Sequence, residues 1–203
     1  MTNKHEGTRE RILGVAESII LQNGFSGTSI GNILQQAAIT KGGFFYHFGD
    51  KRELARALVE RYLEQDSVIF DSLFVEADKQ QSDPLRQLLS FLEQFAQMME
   101  NMEDLHPGCL VASFTYESQQ LDPETKTLIR QGVLQWRKLI LLRLEKIAEI
   151  HTPVRDINLT ALADMFTSVV EGGILLSRIL ESNKHLSDQI LQYRDYLEIL
   201  FRQ

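Results

Sequence analysis

The stretch TSIGNILQQAAITKGGFFYHFGDKREL, Thr28–Leu54, is the most informative part of the chain. Its short apolar pattern is followed by a tight turn and by a second short segment that runs from Thr40 to about Phe48. Upstream, apolar residues repeat at helical spacing and predict a first helix. It would begin at Thr8, a residue type that caps helices, and end at Asn23-Gly24. Three helices with a tight connection between the second and third are the layout of a helix-turn-helix DNA-binding module.

Several residues of this stretch have side chains or backbones suited to contact with DNA. These candidates are Thr28, Ser29, Thr40, Lys41, Gly42, Gly43, Tyr46, His47 and Lys51. Hydroxyls at helix starts can cap the helix or meet a phosphate, because the exposed N–H groups there favour an anion. Two glycines in one short helix cost about 1 kcal/mol each relative to alanine, and close approach to a duplex would explain them.

The remaining candidates have cationic or aromatic side chains. Lys41 can reach a phosphate or a guanine edge, while Tyr46 and His47 can hydrogen-bond phosphate oxygens or present ring faces to thymine methyls. Lys51 lies at the start of the next helix, where the positive end of the helix dipole does not stabilise a cation. We therefore expect a phosphate partner for Lys51. Phe44 and Phe48 are expected in the core instead.

The same stretch resembles the TetR family of transcriptional regulators, whose pattern is Thr/Ser, a hydrophobic residue, a short turn, Ser/Thr-Lys-Gly, aromatics, Phe and then Lys. The chain departs from that pattern at Ala38, where glycine is common, and at Phe45, where tyrosine is common. The resemblance implies a C-terminal domain that binds a small effector between helices and dimerises through its last two helices. It also implies repression as the usual mode of action.

The rest of the chain also follows a helical period. Asp50 with Glu53, Asp83-Pro84 and Asp122-Pro123 each predict a helix start, and His106-Pro107-Gly108 predicts a break. We therefore predict an all-α fold of nine helices. The helix-turn-helix domain is assigned to residues 1–50, and the effector-binding and dimerisation domain to residues 51–203.

The C-terminal part offers aromatic and thioether side chains for an apolar or flat effector, with ordinary core packing as the alternative for each. The candidates are Phe70, Phe74, Phe91, Phe95, Met98, Met102, Phe114, Trp136 and Phe166. The last two helices have faces that are too apolar to remain exposed to solvent. Gly172 and Gly173 would allow two helices to approach closely. A twofold interface is predicted from Phe166, Val170, Gly173, Ile174, Leu191 and Leu197. Such a homodimer would bind a palindromic double-stranded operator.

Charge divides unevenly along the chain. Residues 1–56 have seven basic and five acidic groups, a net of +2, so the remainder of this chain of net charge -7 holds -9. A mildly basic N-terminal part and an acidic remainder suit a protein that presents one surface to a polyanion. No run approaches eighteen apolar residues and no signal-peptide core is present, so we expect a cytoplasmic protein without a membrane span.

Cys109 supports an alternative function. It follows Pro107-Gly108 in the first turn of a predicted helix, where a lowered thiol pKa would make it an electrophile or oxidant sensor; a buried, inert cysteine is the other interpretation. We predict no metal, no cofactor and no enzyme, because the sequence has no GxSxG, no glycine-rich phosphate loop and no HExxH motif. A helical adaptor that never touches DNA is a further alternative, which salt-dependent DNA binding would exclude.

Overall fold

The computed structural model describes residues 4–201, and within that range it contains helices and no strand. The helices are α1 Lys4–Gly27, α2 Ile30–Gln36, α3 Lys41–His47, α4 Lys51–Gln80, α5 Pro84–Glu100, α6 Leu110–Tyr116, α7 Pro123–Ile150, α8 Leu159–Ile179 and α9 Lys184–Phe201. A single 3₁₀ turn, Ser118–Gln120, lies between α6 and α7. The all-helical prediction is confirmed, and so is the count of nine α-helices within the described residues.

Side-chain caps fix where several helices begin. Asp83 accepts a hydrogen bond from Arg86 N at 2.9 Å with Pro84 as the next residue, and Asp122 accepts one from Thr125 N at 2.8 Å. At the start of α4, Asp50 accepts from Glu53 N at 2.9 Å. These carboxylates satisfy backbone donors that have no partner inside the helix, which is why the sequence signals located the helix starts correctly.

The described residues pack as two compact units. The first runs to Gln65 and includes Pro107–Gln131, and the second holds Asp66–His106 together with the residues from Gly132 onward. The domain boundary predicted at residue 50 stays a prediction; the compact units follow packing instead, since the segment around α6 packs with the N-terminal helices. Local sequence patterns do not reveal such long-range packing.

The core of the first unit is built from buried apolar side chains of α1 to α4 and α6. They include Ile12, Leu13, Ala16, Ile20, Phe25, Ile33, Phe44, Phe48, Leu54, Leu58, Leu110 and Phe114. The rings of Phe25 and Phe114 meet edge to face at a centroid distance of 5.2 Å, which fixes α6 against the end of α1.

The second unit is organised around α5, α8 and α9. Helix α9 packs against both of the others. The buried Tyr193 hydroxyl of α9 donates to the Leu162 carbonyl of α8 at 2.9 Å. Close approach of α8 and α9 needs glycine at position 173, since a Cβ there would lie 2.8 Å from Leu186 Cδ1 and 3.0 Å from its Cα.

Candidate nucleic-acid interface

Helix α3 has one buried side and one exposed side. Phe44 is fully buried, and its ring lies 5.7 Å from that of Phe48, so these two residues belong to the core as predicted. On the other side, Tyr46 is 71% exposed and Phe45 is 43% exposed. Lys41 is exposed as well. The buried phenylalanines therefore present the basic and aromatic residues of α3 outward.

The hydroxyls of Ser29 and Thr40 cap the two helices of the motif. Ser29 Oγ accepts from Asn32 N at 3.1 Å at the start of α2, and Thr40 Oγ1 accepts from Gly43 N at 3.1 Å at the start of α3. Both capping residues are exposed. Each helix start thus brings a hydroxyl and N–H groups to the surface, an arrangement that suits a phosphate.

The two glycines of α3 differ in their surroundings. A Cβ at Gly43 would lie 3.3 Å from Thr40 Oγ1, tight against the cap, whereas a Cβ at Gly42 would meet only that atom at 4.0 Å. Gly42 is also exposed. The protein itself therefore gives no steric reason for glycine at position 42, which leaves close approach of a partner as the explanation that we favour.

His47 ends α3 and is half-buried. Its ring lies 5.0 Å from the Tyr46 ring, edge to face, and 6.4 Å from the Phe48 ring. Lys41 Nζ lies 5.9 Å from the centroid of Phe45. Lys41, Tyr46 and His47 thus lie on one short helix, with Tyr46 against His47 and Lys41 near Phe45.

Two other residues expected to contact DNA are engaged with their own chain. Thr28 is 1% exposed, and its hydroxyl donates to the Gly24 carbonyl at 2.8 Å. Lys51 Nζ donates to the Phe25 carbonyl and lies 4.1 Å from the centroid of the Phe25 ring. Burial lowers the pKa of Lys51 even though the Glu117 charge acts in the opposite direction. We leave both residues out of the proposed interface, because the Thr28 side chain is buried and the Lys51 ammonium is held at the Phe25 carbonyl and over the Phe25 ring, whereas Ser29 and Thr40 are exposed.

Glu117, just after α6, is a residue that sequence reasoning did not single out. Its carboxylate accepts hydrogen bonds from Phe25 N at 2.7 Å, from Ser26 N at 2.8 Å and from the Ser26 hydroxyl. The Ser26 hydroxyl and these backbone groups hold the pKa of Glu117 below its usual value. More than ninety residues of sequence separate these partners, so no local pattern in the sequence identifies Glu117.

The turn between α2 and α3 holds Ala38 in a left-handed conformation, with φ 49°. An alanine there costs on the order of 1 kcal/mol, because its Cβ crowds the following carbonyl oxygen. Ala38 is exposed, so its methyl group contributes little packing.

We expect Ala38→Gly to raise the free energy of unfolding by about 1 kcal/mol, because glycine adopts a positive φ without strain. Chemical denaturation at fixed protein concentration measures the change. Ala148→Gly, inside helix α7, is the matched control and should lower the free energy of unfolding instead. A drop in stability for Ala38→Gly comparable to that of the control would contradict the left-handed turn.

Five of the residues predicted to line an effector site form one aromatic cluster in the second unit. This aromatic cluster consists of Phe70, Phe74, Phe91, Phe95 and Phe166. The rings of Phe74 and Phe91 stack at a centroid distance of 3.8 Å. The half-buried Met98, Met102 and Trp136 belong to the same unit, whereas Phe114 packs on Phe25 in the first unit.

The residues predicted for the dimer interface divide into buried and partly exposed ones. Phe166, Gly173, Ile174 and Leu197 are buried within their own chain, while Val170 and Leu191 are half-buried. Other apolar side chains of α8 and α9 are exposed instead: Met165, Leu175, Leu176, Ile179, Tyr196 and Ile199. This second set is named the exposed α8–α9 face.

Helix α8 has the length and apolar composition of a helix that could cross a membrane. Most of the residues that give it this composition are not buried, since 28% of its most apolar window is covered within the chain. Among residues 4–201, no group of three His, Cys, Asp or Glu side chains is arranged to hold a metal ion.

Family models match both parts of the chain. Residues 12–58 match the model of bacterial regulatory proteins of the tetR family, and residues 84–192 match that of the tetracyclin repressor-like C-terminal domain. The chain is 25% identical to the HTH-type transcriptional repressor DhaR of Mycobacterium sp. (strain GP1), over 90% of this chain and 88% of the relative. It is 27% identical to the repressor NemR of Escherichia coli K12, over 73% of this chain and 74% of the relative.

Solved structures agree in fold. The reduced form of E. coli NemR matches with a TM-score of 0.72 at 21% identity, covering 93% of this chain and 96% of that one. A TetR-family regulator from Agrobacterium tumefaciens matches with a TM-score of 0.77 at 23% identity, covering 98% of this chain and all of that one.

Proposed function

Since the chain belongs to the TetR family of DNA-binding transcriptional regulators, we propose that it is a repressor that binds a palindromic operator as a homodimer and is released by a small apolar or aromatic effector. The observation that carries the proposal is the exposed side of α3, where Lys41 and Tyr46 point away from a core anchored by Phe44. Operator DNA requires a cytoplasmic location, and binding and release require no catalysis.

The DNA contacts proposed here are of two kinds. Ser29 and Thr40, with the N–H groups of their helix starts, would bind phosphates and set the position of the motif. Lys41, Tyr46 and His47 would reach phosphates or base edges from α3, with Gly42 and Gly43 allowing its backbone to approach. Phosphate contacts position the protein, and base-edge contacts give sequence preference.

We expect Lys41→Ala to weaken operator binding about 5- to 150-fold, the range for removal of one good interaction worth roughly 1–3 kcal/mol. The operator is first obtained by selection from random oligonucleotides with the purified protein, and Kd is then measured by fluorescence anisotropy at several salt concentrations. If Lys41 binds a phosphate, the variant lowers the slope of log K against log[salt] by about 0.9 in each half-site, about 1.8 for the dimer; if it binds a base, the preference at one base pair of each half-site relaxes.

Lys138→Ala is the matched control, because Lys138 is exposed on α7 outside the helix-turn-helix unit. It should change Kd less than twofold. If both lysine variants bound like the wild type, the assignment of the α3 surface would be refuted; if the wild type showed no salt-dependent DNA binding, the proposed function itself would fail.

The proposed dimer uses the exposed α8–α9 face. Ile179 and Ile199 are 66% and 69% exposed, and exposed large apolar side chains along two helices that pack together suit an interaction site. A second copy is the occupant we propose, because a twofold interface covers the same patch on both protomers and sets two DNA-binding heads on one duplex. It would also cover the apolar surface of α8 without a membrane.

The proposed effector binds against the aromatic cluster of the second unit. Its rings contact one another, and the Phe74 and Phe91 rings are stacked too closely to admit a ligand between them. An effector that inserts between these rings would have to separate them, which would link binding to a conformational change. The uninterrupted helix α4, which begins next to the DNA-binding motif and contains Phe70 and Phe74, offers the connection.

The alternative proposal is a thiol-based repressor that senses electrophiles or oxidants through Cys109. Its support is that Cys109 is half-buried and caps α6, its Sγ accepting a hydrogen bond from Ala112 N at 3.4 Å. Backbone donors of this kind favour the thiolate. Release from the operator by an electrophile in the wild type, and no release in Cys109→Ser, would favour this alternative over the non-covalent effector.

A further inference from the structure

We infer that Glu117 is a positioning residue for DNA binding: it holds the segment from which the DNA-facing helices leave α1. That segment is called the junction and comprises residues 24–29, between the break in α1 and the start of α2. The inference rests on the proposed function and adds to it a residue outside the proposed DNA-facing surface.

The junction begins at a break in the backbone. Gly24 has φ 76°, a left-handed conformation inside α1, and a Cβ at this position would lie 2.6 Å from Glu117 Oε1. The backbone angle therefore requires glycine, and any Cβ at this position would displace the Glu117 carboxylate from its present place. Just after the break, the N–H groups of Phe25 and Ser26 start a new helical turn and need an acceptor outside that turn.

Glu117 supplies that acceptor with both of its oxygens. Oε1 accepts from Phe25 N at 2.7 Å, and Oε2 accepts from Ser26 N at 2.8 Å and from the Ser26 hydroxyl. A carboxylate suits three converging donors, because its oxygens only accept hydrogen bonds. Its negative charge is also stabilised by the positive N-terminal end of a helical turn. An amide in its place would set an N–H group against one of these donors.

A second charged side chain holds the junction from another helix. Lys51, in the first turn of α4, donates from Nζ to the Phe25 carbonyl, and its charge is attracted to Glu117. Both polar groups of the Phe25 backbone are thus engaged, since Glu117 accepts from the N–H and Lys51 donates to the carbonyl. The Phe25 ring packs on Phe114 of α6 as well.

These interactions bear on DNA binding because the junction leads directly into the motif. Ser29, the last junction residue, caps α2, and α3 follows α2 after a four-residue connection. Freed from Glu117, the junction could rotate about Gly24 and carry α2 and the exposed side of α3 with it. The affinity for DNA would then fall although the residues of α3 are unchanged.

The test measures operator affinity by fluorescence anisotropy for the full-length wild type, Glu117→Gln, Lys51→Met and the double variant. All measurements are made at a temperature where circular dichroism shows every protein fully folded, so that reduced stability alone does not change Kd. We expect Glu117→Gln to raise Kd roughly tenfold or more, the scale of removing a charge-assisted hydrogen bond. Glu60→Gln, an exposed carboxylate of α4, is the control and should change Kd less than twofold.

Salt dependence separates a junction role from direct DNA binding. Lys51→Met should weaken binding without changing the slope of log K against log[salt], whereas a lysine that neutralised a phosphate in each half-site would, when replaced, lower that slope by about 1.8 for the dimer. The double variant should weaken binding by less than the product of the two single effects, because both residues hold the same stretch of backbone.

An unchanged Kd for Glu117→Gln, a reduced slope for Lys51→Met, or fully multiplicative effects would each overturn the inference. If Glu117→Gln does not fold, Ser26→Ala removes the hydroxyl bonds to Glu117 and Gln120 but keeps both backbone donors, so it should weaken binding in the same direction by a smaller factor; normal affinity of that variant would then overturn the inference. Failure of the wild type to bind any selected DNA would instead refute the proposed function, so the two failures are distinguishable.

Discussion

Replacing Phe44 with alanine should lower the free energy of unfolding by about 3–5 kcal/mol and abolish operator binding at 37 °C. Phe44 is fully buried in the same core cluster as Ile12, Ala16 and Ile33, and its ring lies 5.7 Å from that of Phe48. Truncation would leave a cavity beneath α3 and remove the packing that turns its other side outward. Urea denaturation followed by circular dichroism measures the stability change.

Phe45→Ala is the matched control for this prediction, since it removes the same side chain one position later. Phe45 is 43% exposed, so the decrease in the free energy of unfolding should stay below about 1 kcal/mol. Equal destabilisation by the two substitutions would mean that α3 is not oriented as the structure has it. Reduced DNA affinity of a stable Phe45→Ala variant would instead add Phe45 to the proposed interface.

The second large effect is expected from Ile179→Glu on the exposed α8–α9 face. A twofold interface would bury two copies of the new carboxylate, and burial of an unpaired charge costs several kcal/mol for each copy. The variant should therefore sediment as a monomer at micromolar concentration, whereas the wild type should sediment as a dimer. Operator affinity should fall about 100-fold or more, because each head then binds its half-site alone.

Val68→Glu tests whether the effect is specific to that face. Val68 is 65% exposed on α4, close to the 66% of Ile179, so the two substitutions place the same charge on equally exposed apolar positions. We expect Val68→Glu to remain a dimer. Dissociation of both variants, or of neither, would count against the exposed α8–α9 face as the dimer interface.

The helices and most of their starts could be predicted from the amino-acid order alone, although α1 begins at Lys4 and not at Thr8 as expected. Asp83-Pro84, Asp122-Pro123 and Asp50 marked helix starts because capping is an interaction between residues only two or three apart. The spacing of apolar residues likewise placed Phe44 and Phe48 in the core. Both signals depend on the period of a helix, which a single sequence displays.

Only the packing of the helices shows which of the predicted contact residues already interact with their own chain. Three residues predicted to contact DNA or a second protomer instead contact residues of their own chain: Thr28, Lys51 and Gly173. The sequence alone did not identify Glu117 as a functional residue; only the structure shows that it accepts a hydrogen bond from Ser26 N. Most of these interactions join residues that are far apart in sequence, and their geometry follows from how whole helices pack, which no local period or capping pattern encodes.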